Sequence, residues 1–161
     1  SLLLCGVILP VEQEALFQPL YQLGGFIQLM NDAQDMFKDR KEGVYTFISF
    51  KNFYKEIICE LESKRRECFE AFNKLKYPAR KLSNFLFGFY AMYIGIVYKL
   101  SRYSKLTNGK LNAPGHHTLV RKPVRVNPFT LASFLYCFPK IIQFNTRHAD
   151  LSEDLFGEET L

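Results

Sequence analysis

A chain of 161 residues is long enough for one domain with a core, and its 48% hydrophobic, 16% aromatic and 23% charged content excludes a disordered or fibrous protein. A formal charge of +5 and a pI near 9.0 admit an anionic partner. They do not choose among nucleic acid, anionic lipid and phosphorylated metabolites.

The opening stretch SLLLCGVILP is apolar but has no charged n-region, so it makes a poor signal peptide. It reads as the inside of a hydrophobic element, and the expectation is a part of a longer protein. Residues 11 to 41 read as one long helix, with apolar positions at Leu16, Leu20, Leu23, Ile27 and Met30. Pro19 should kink or delay it. Gly24 and Gly25 should mark close packing or the close approach of a ligand. Gly43 is the stop, preceded by basic residues at the favourable end of the helix dipole. A second helix, 49 to 76, should open at Ser49 and bury Phe53, Ile57, Leu61, Cys68 and Phe72, with a more exposed break from Ser63 to Glu67. Pro78 separates it from a third helix, roughly 79 to 106.

That third helix holds an uncharged run, residues 82 to 98, at the lower limit of a membrane span. Ser83, Asn84, Gly88, Gly95 and its aromatics fit a buried helix better than a span. A Gly-, Pro- and Asn-rich loop follows over 108 to 126. Asn127 and Pro128 start a last helical segment, 127 to 148, which Pro139 should interrupt, and 149 to 161 is an acidic tail. The remaining 1 to 107 form the main domain. No strand alternation and no internal repeat is visible, so the fold class is all-α.

The four cysteines (Cys5, Cys59, Cys68 and Cys137) have no zinc-site spacing. Cys59 and Cys68 on one helix would stand ~13 Å apart, too far for a disulfide. All four read as free thiols in a reducing compartment, which fits a cytoplasmic protein. The loop pair His116 and His117 has no acids beside it. The basic stretch VRKPVRV reads first as a solvated loop that could meet an anionic membrane or a diphosphate, and the SKRRE run has few aromatics beside it to stack on bases. Nucleic-acid binding is therefore not expected, while peripheral membrane association is compatible with the basic loop.

The chemistry concentrates in QLMNDAQDMFKD, residues 28 to 39. Asn31, Asp35 and Asp39 follow one another at steps of four. Each is rotated only ~40° from the last and raised ~6 Å along a helix. One amide carbonyl and two carboxylates then project from one face, a set of hard oxygen donors suited to Mg²⁺. The bland alternative is a solvated face, with Lys38 and Arg40 offsetting the acids.

The surrounding stretch LGGFIQLMNDAQDMFKDRKEGVY, residues 23 to 45, resembles the second acidic motif of squalene and phytoene synthases. These belong to the class I isoprenoid synthases. Leu23, Gly24, Gln28, Leu29, Asn31, Asp35, Asp39, Gly43 and Tyr45 fall in register with that motif. The resemblance implies a helical bundle of the isoprenoid synthase type, with this chain as its C-terminal half. It also implies Mg²⁺ held by Asn31, Asp35 and Asp39, and a prenyl diphosphate substrate ionised at its diphosphate, with no catalytic residue separate from the metal site. Gln28, Lys38 and Arg40 would contact the substrate, Gly24 would lie near the prenyl chain, and Phe26 would line the apolar cavity with Phe85, Phe89 and Tyr93. The partner would be the missing N-terminal half or a second copy, without which the chain would be inactive. Two positions depart from the motif: Gln34 stands where Arg is usual, and Asp32 where an apolar residue is usual. They are the best support for the alternative, a non-catalytic helical protein that keeps the fold and binds a lipid or a partner.

Overall fold

The computed structural model describes residues 14–75, 78–111 and 135–144. All the regular elements among them are helical: α1 (Glu14–Glu42), a short 3-10 turn (Phe47–Phe50), α2 (Tyr54–Asn73), α3 (Ala79–Leu106) and α4 (135–144). The fold is all-α, as the periodicity predicts. A single antiparallel bridge, Phe53 to Lys110, is the one β-type pairing among the described residues.

Each helix end follows from local chemistry. Pro19 lies inside α1 and does not interrupt it. Gly43 ends α1 with φ +71, a left-handed conformation that only glycine adopts without strain. The Val44 N–H then donates to the Asp39 carbonyl (2.8 Å) and the Gly43 N–H to that of Arg40 (3.4 Å), the paired bonds of a Schellman stop. The second long helix begins five residues later than expected. Ser49 lies in the 3-10 turn, where its hydroxyl accepts the Thr46 N–H at 3.0 Å, and Lys51 is extended. The start of α2 is set instead by Glu56, whose carboxylate accepts the backbone N–H groups of Asn52 (2.9 Å) and Phe53 (3.2 Å). Phe53 has no side-chain acceptor, so only the acidic half of a capping box operates.

The chain divides into two compact units. In the first, made of the described residues up to 75 and from 99 to 111, α1 buries Leu23, Phe26, Met30, Ala33 and Met36. This stripe lies closer to the acidic stretch than the expected one, and Leu16, Leu20 and Ile27 are only half-buried. On α2, Tyr54, Ile57, Leu61, Cys68, Phe69 and Phe72 are buried. Phe26 meets Phe69 edge-on with centroids 6.4 Å apart. Phe37 packs edge-on against Tyr103 at 4.9 Å, and Tyr103 lies 6.0 Å from Tyr54. Burial pushes the Tyr54 hydroxyl well above its ordinary range and the Tyr103 hydroxyl up to about 12. Both phenols therefore stay neutral.

The break in the α2 stripe falls where expected. Its charges pair along the helix: Lys64 with Glu67 at 2.7 Å, and Arg65 with Glu62. Exposed pairs of this spacing contribute only a few tenths of a kcal/mol each, so they solubilise more than they stabilise.

The second unit comprises the described residues 78–98 and 135–144. Leu86, Tyr93, Ile94, Ile96, Val97 and Tyr98 are buried there. Phe144 of α4 stacks on Tyr90 at 4.5 Å, and Tyr136 lies 4.9 Å from Tyr98. Pro139 sits within α4 and does not interrupt it. Among the described residues no helix is long and apolar enough to cross a membrane. The uncharged run of 82 to 98 is thus an ordinary helix with a buried side, and Asn84, Phe85, Gly88 and Met92 form its exposed side. The expected loop begins at Asn108 and Gly109, both left-handed. Its part beyond 111, the basic stretch 120 to 126, His116, His117, the start of the last segment at 127, the acidic tail and Cys5 lie outside the described residues.

Candidate functional site: the acidic face of the first helix

The regular ladder of α1 carries the acidic residues through an unbroken helix. At 3.6 residues per turn, Gly24, Gln28, Asn31, Asp35 and Asp39 fall on one side of the helix and Phe26 on the other, ~180° from Asp35. Exposure follows this division. Gln28, Asn31, Asp35 and Lys38 are exposed, Gly24 and Asp39 half-buried, and Phe26 completely buried. The spacing thus turns one side into core and the other into an oxygen-rich face. Phe26 cannot wall a cavity at that face, because it is held in the packing between α1 and α2.

Several side chains at the face are engaged by the protein itself. The Gln28 amide donates to the Asp32 carboxylate at 2.8 Å, an i,i+4 pair. Arg40 turns toward the end of α1, where it donates to the Leu111 carbonyl at 3.0 Å. Its charge also acts on the Tyr54 hydroxyl. Arg40 thus ties the end of α1 to the turn after α3. Gly24 and Gly25 have open space: among the described residues, a Cβ added at either would meet nothing within 4 Å.

The sequence reading missed Lys99 of α3. Its ammonium donates to the Gln34 carbonyl at 3.3 Å and lies 5.8 Å from the centroid of the Tyr103 ring. Desolvation pushes the Lys99 amine down, and the Asp35 carboxylate pulls it partly back up. A lysine is therefore positioned within the field of the central acid. Its only sequence signal is its place as the first charge after the uncharged run.

Asn31, Asp35 and Asp39 supply oxygen donors alone, on an open face with room for water. This chemistry fits Mg²⁺, which retains several waters and is bound through one or two carboxylates together with phosphate oxygens. Among the described residues no group of three or more His, Cys, Asp or Glu is gathered to hold a metal ion. The face itself offers two carboxylates and one amide. A groove of about 410 Å³ lies elsewhere, between the N-terminal half of α1 and the C-terminal half of α2, lined by Gln18, Gln22, Glu67, Glu70 and Lys74 among others. None of the expected site residues lines it.

Comparison of the chain with protein-family models, with curated proteins and with solved structures found no match.

Proposed function

We propose that the protein is a Mg²⁺-dependent enzyme of the class I isoprenoid synthase type, in which the acidic face of α1 binds the diphosphate end of a prenyl diphosphate. The observation that carries this reading is the single open face of Asn31, Asp35 and Asp39 on an unbroken helix, with Lys38 exposed beside them and Lys99 held against Gln34. The carboxylates and the Asn31 carbonyl are the cation's ligands. Lys38 and Lys99 would donate charge-assisted hydrogen bonds to phosphate oxygens. Mg²⁺ bound there would neutralise the departing diphosphate and so favour ionisation. A second acidic cluster would come from the N-terminal half of the same fold or from a second copy of the chain.

The alternative, a non-catalytic helical protein that binds a lipid or a partner, draws on two observations. Lys99 already lies within the field of Asp35, and Gln28 already occupies Asp32. The two readings separate in an assay of Mg²⁺-dependent diphosphate release from farnesyl diphosphate by the full-length protein. Asp35→Asn and Asp39→Asn each preserve shape and remove one charge. Each should lower release by at least about a hundredfold, the scale of losing an electrostatic stabiliser of the transition state, with the helical circular dichroism unchanged. Release that persists unaltered in both variants removes the metal assignment. No release from the unaltered protein favours the non-catalytic reading.

A further inference from the structure

The connector between α1 and α2 exposes a run of large apolar side chains that neither core uses. Tyr45 is 83% and Phe50 77% exposed, and Val44, Phe47 and Phe53 are each close to half exposed. Burying any of them would be favourable, yet five occur within ten residues of one short connector. Isolated exposed apolar residues are ordinary; a concentrated run marks a binding surface.

Cations surround this run. Lys41 ends α1, Lys55 opens α2, and both are exposed. The turn after α3 is joined to the same place, because Leu111 N–H donates to the Asn52 carbonyl (2.9 Å) and Tyr54 N–H to that of Gly109 (3.1 Å). This brings exposed Lys105 and Lys110, together with half-exposed Leu106, to the same end of the helical unit. Lys51 stands over the Phe47 ring at 4.4 Å. Of the acids, Glu56 is engaged by the backbone of Asn52 and Phe53, and Glu60 by Lys51 at 3.4 Å. Glu42 is exposed, and the balance at this end is positive.

We propose that this end of the molecule docks on the surface of an anionic lipid bilayer. Tyr45 and Phe50 would sit at the headgroup level, and Lys41, Lys55, Lys105 and Lys110 would face the phosphates. Aromatic rings with lysines beside them match a bilayer interface, where the rings enter the apolar boundary and the ammonium groups remain in the anionic layer. The core of a protein–protein interface is instead depleted in lysine. The proposal stands apart from the acidic face and does not depend on the enzymatic reading. Its residues are also different from the basic stretch of 120 to 126.

Two measurements on the full-length protein test it. The first is co-sedimentation with vesicles of phosphatidylcholine alone and of equal parts phosphatidylcholine and phosphatidylserine. The protein should bind the phosphatidylserine vesicles and be released by salt. The double variant Tyr45→Ser/Phe50→Ser should bind at least about tenfold more weakly. Lys41→Glu/Lys55→Glu should weaken binding as well, with unchanged circular dichroism in both variants. The second uses Phe50→Trp, compared with the unaltered protein. Its added emission should shift to the blue when phosphatidylserine vesicles are introduced. Equal binding to both vesicle types, no binding, or no shift overturns the proposal. A blue shift that grows with protein concentration in the absence of vesicles overturns it in favour of a second copy of the chain.

Discussion

Cys68 is completely buried in the first unit while Cys59, nine residues before it on the same helix, is exposed. Burial pushes the Cys68 thiol from its ordinary 9.0 up to about 12, which lowers its thiolate fraction on the order of a thousandfold. Iodoacetamide at mildly alkaline pH, followed by peptide mass spectrometry, should modify Cys59 and leave Cys68 untouched until denaturant is added. Modification of Cys68 at the same rate as Cys59 in the folded protein would contradict the packing of α2 on α1. The same contrast of burial on one helix explains which parts of the acidic face were legible. The common face of Asn31, Asp35 and Asp39 was legible because a helical repeat fixes it without knowledge of the tertiary fold. Arg40 was not. One step of the helix beyond Asp39 points its guanidinium at the Leu111 carbonyl, a partner 71 residues away that no local pattern reveals. Lys99 was missed for the same reason, since its neighbours Gln34 and Asp35 belong to another helix.

At the scale of elements, helix ends depend on conformation more than on contacts. Among the described residues, Gly43 at φ +71 has no atom within 4 Å of a Cβ placed there, so Gly43→Ala meets a backbone cost without a steric clash. It should destabilise the protein by about 1 kcal/mol and lower the thermal midpoint by roughly 2–4 °C, measured by circular dichroism. A variant as stable as the parent would show that the Schellman stop of α1 does not form. This stop was readable because glycine after a run of basic residues has one common use. The start of α2 was not. Ser49 is a good cap by type, but Glu56 reaches the free N–H groups of Asn52 and Phe53, and a cap whose first member is phenylalanine has no sequence signature. Pro139 was misread because its effect was judged from residue type alone; α4 runs through it.

For the whole molecule, an all-helical class followed from the period of the apolar residues, and composition alone sufficed to forecast an apolar core. What composition could not show is where the surplus apolar surface lies. The aromatics of 44 to 53 were read partly as helix stripe, yet most of them are exposed on a connector, because the delayed start of α2 removes them from any helical face. The protein therefore presents two distinct surfaces: an oxygen-rich helix face and an aromatic, lysine-bordered end. The first of these is the proposed cation–diphosphate site. Mn²⁺ can stand in for Mg²⁺, and free Mn²⁺ gives a paramagnetic resonance signal that fades on binding. The most direct test is to titrate Mn²⁺ into the full-length protein with inorganic pyrophosphate present, alongside Asp35→Asn and Asp39→Asn and a pyrophosphate-only control. The protein should remove more of the free signal than pyrophosphate alone, and each substitution should abolish this excess. An excess that survives both substitutions, or none in the unaltered protein, would contradict a cation–diphosphate site at Asn31, Asp35 and Asp39.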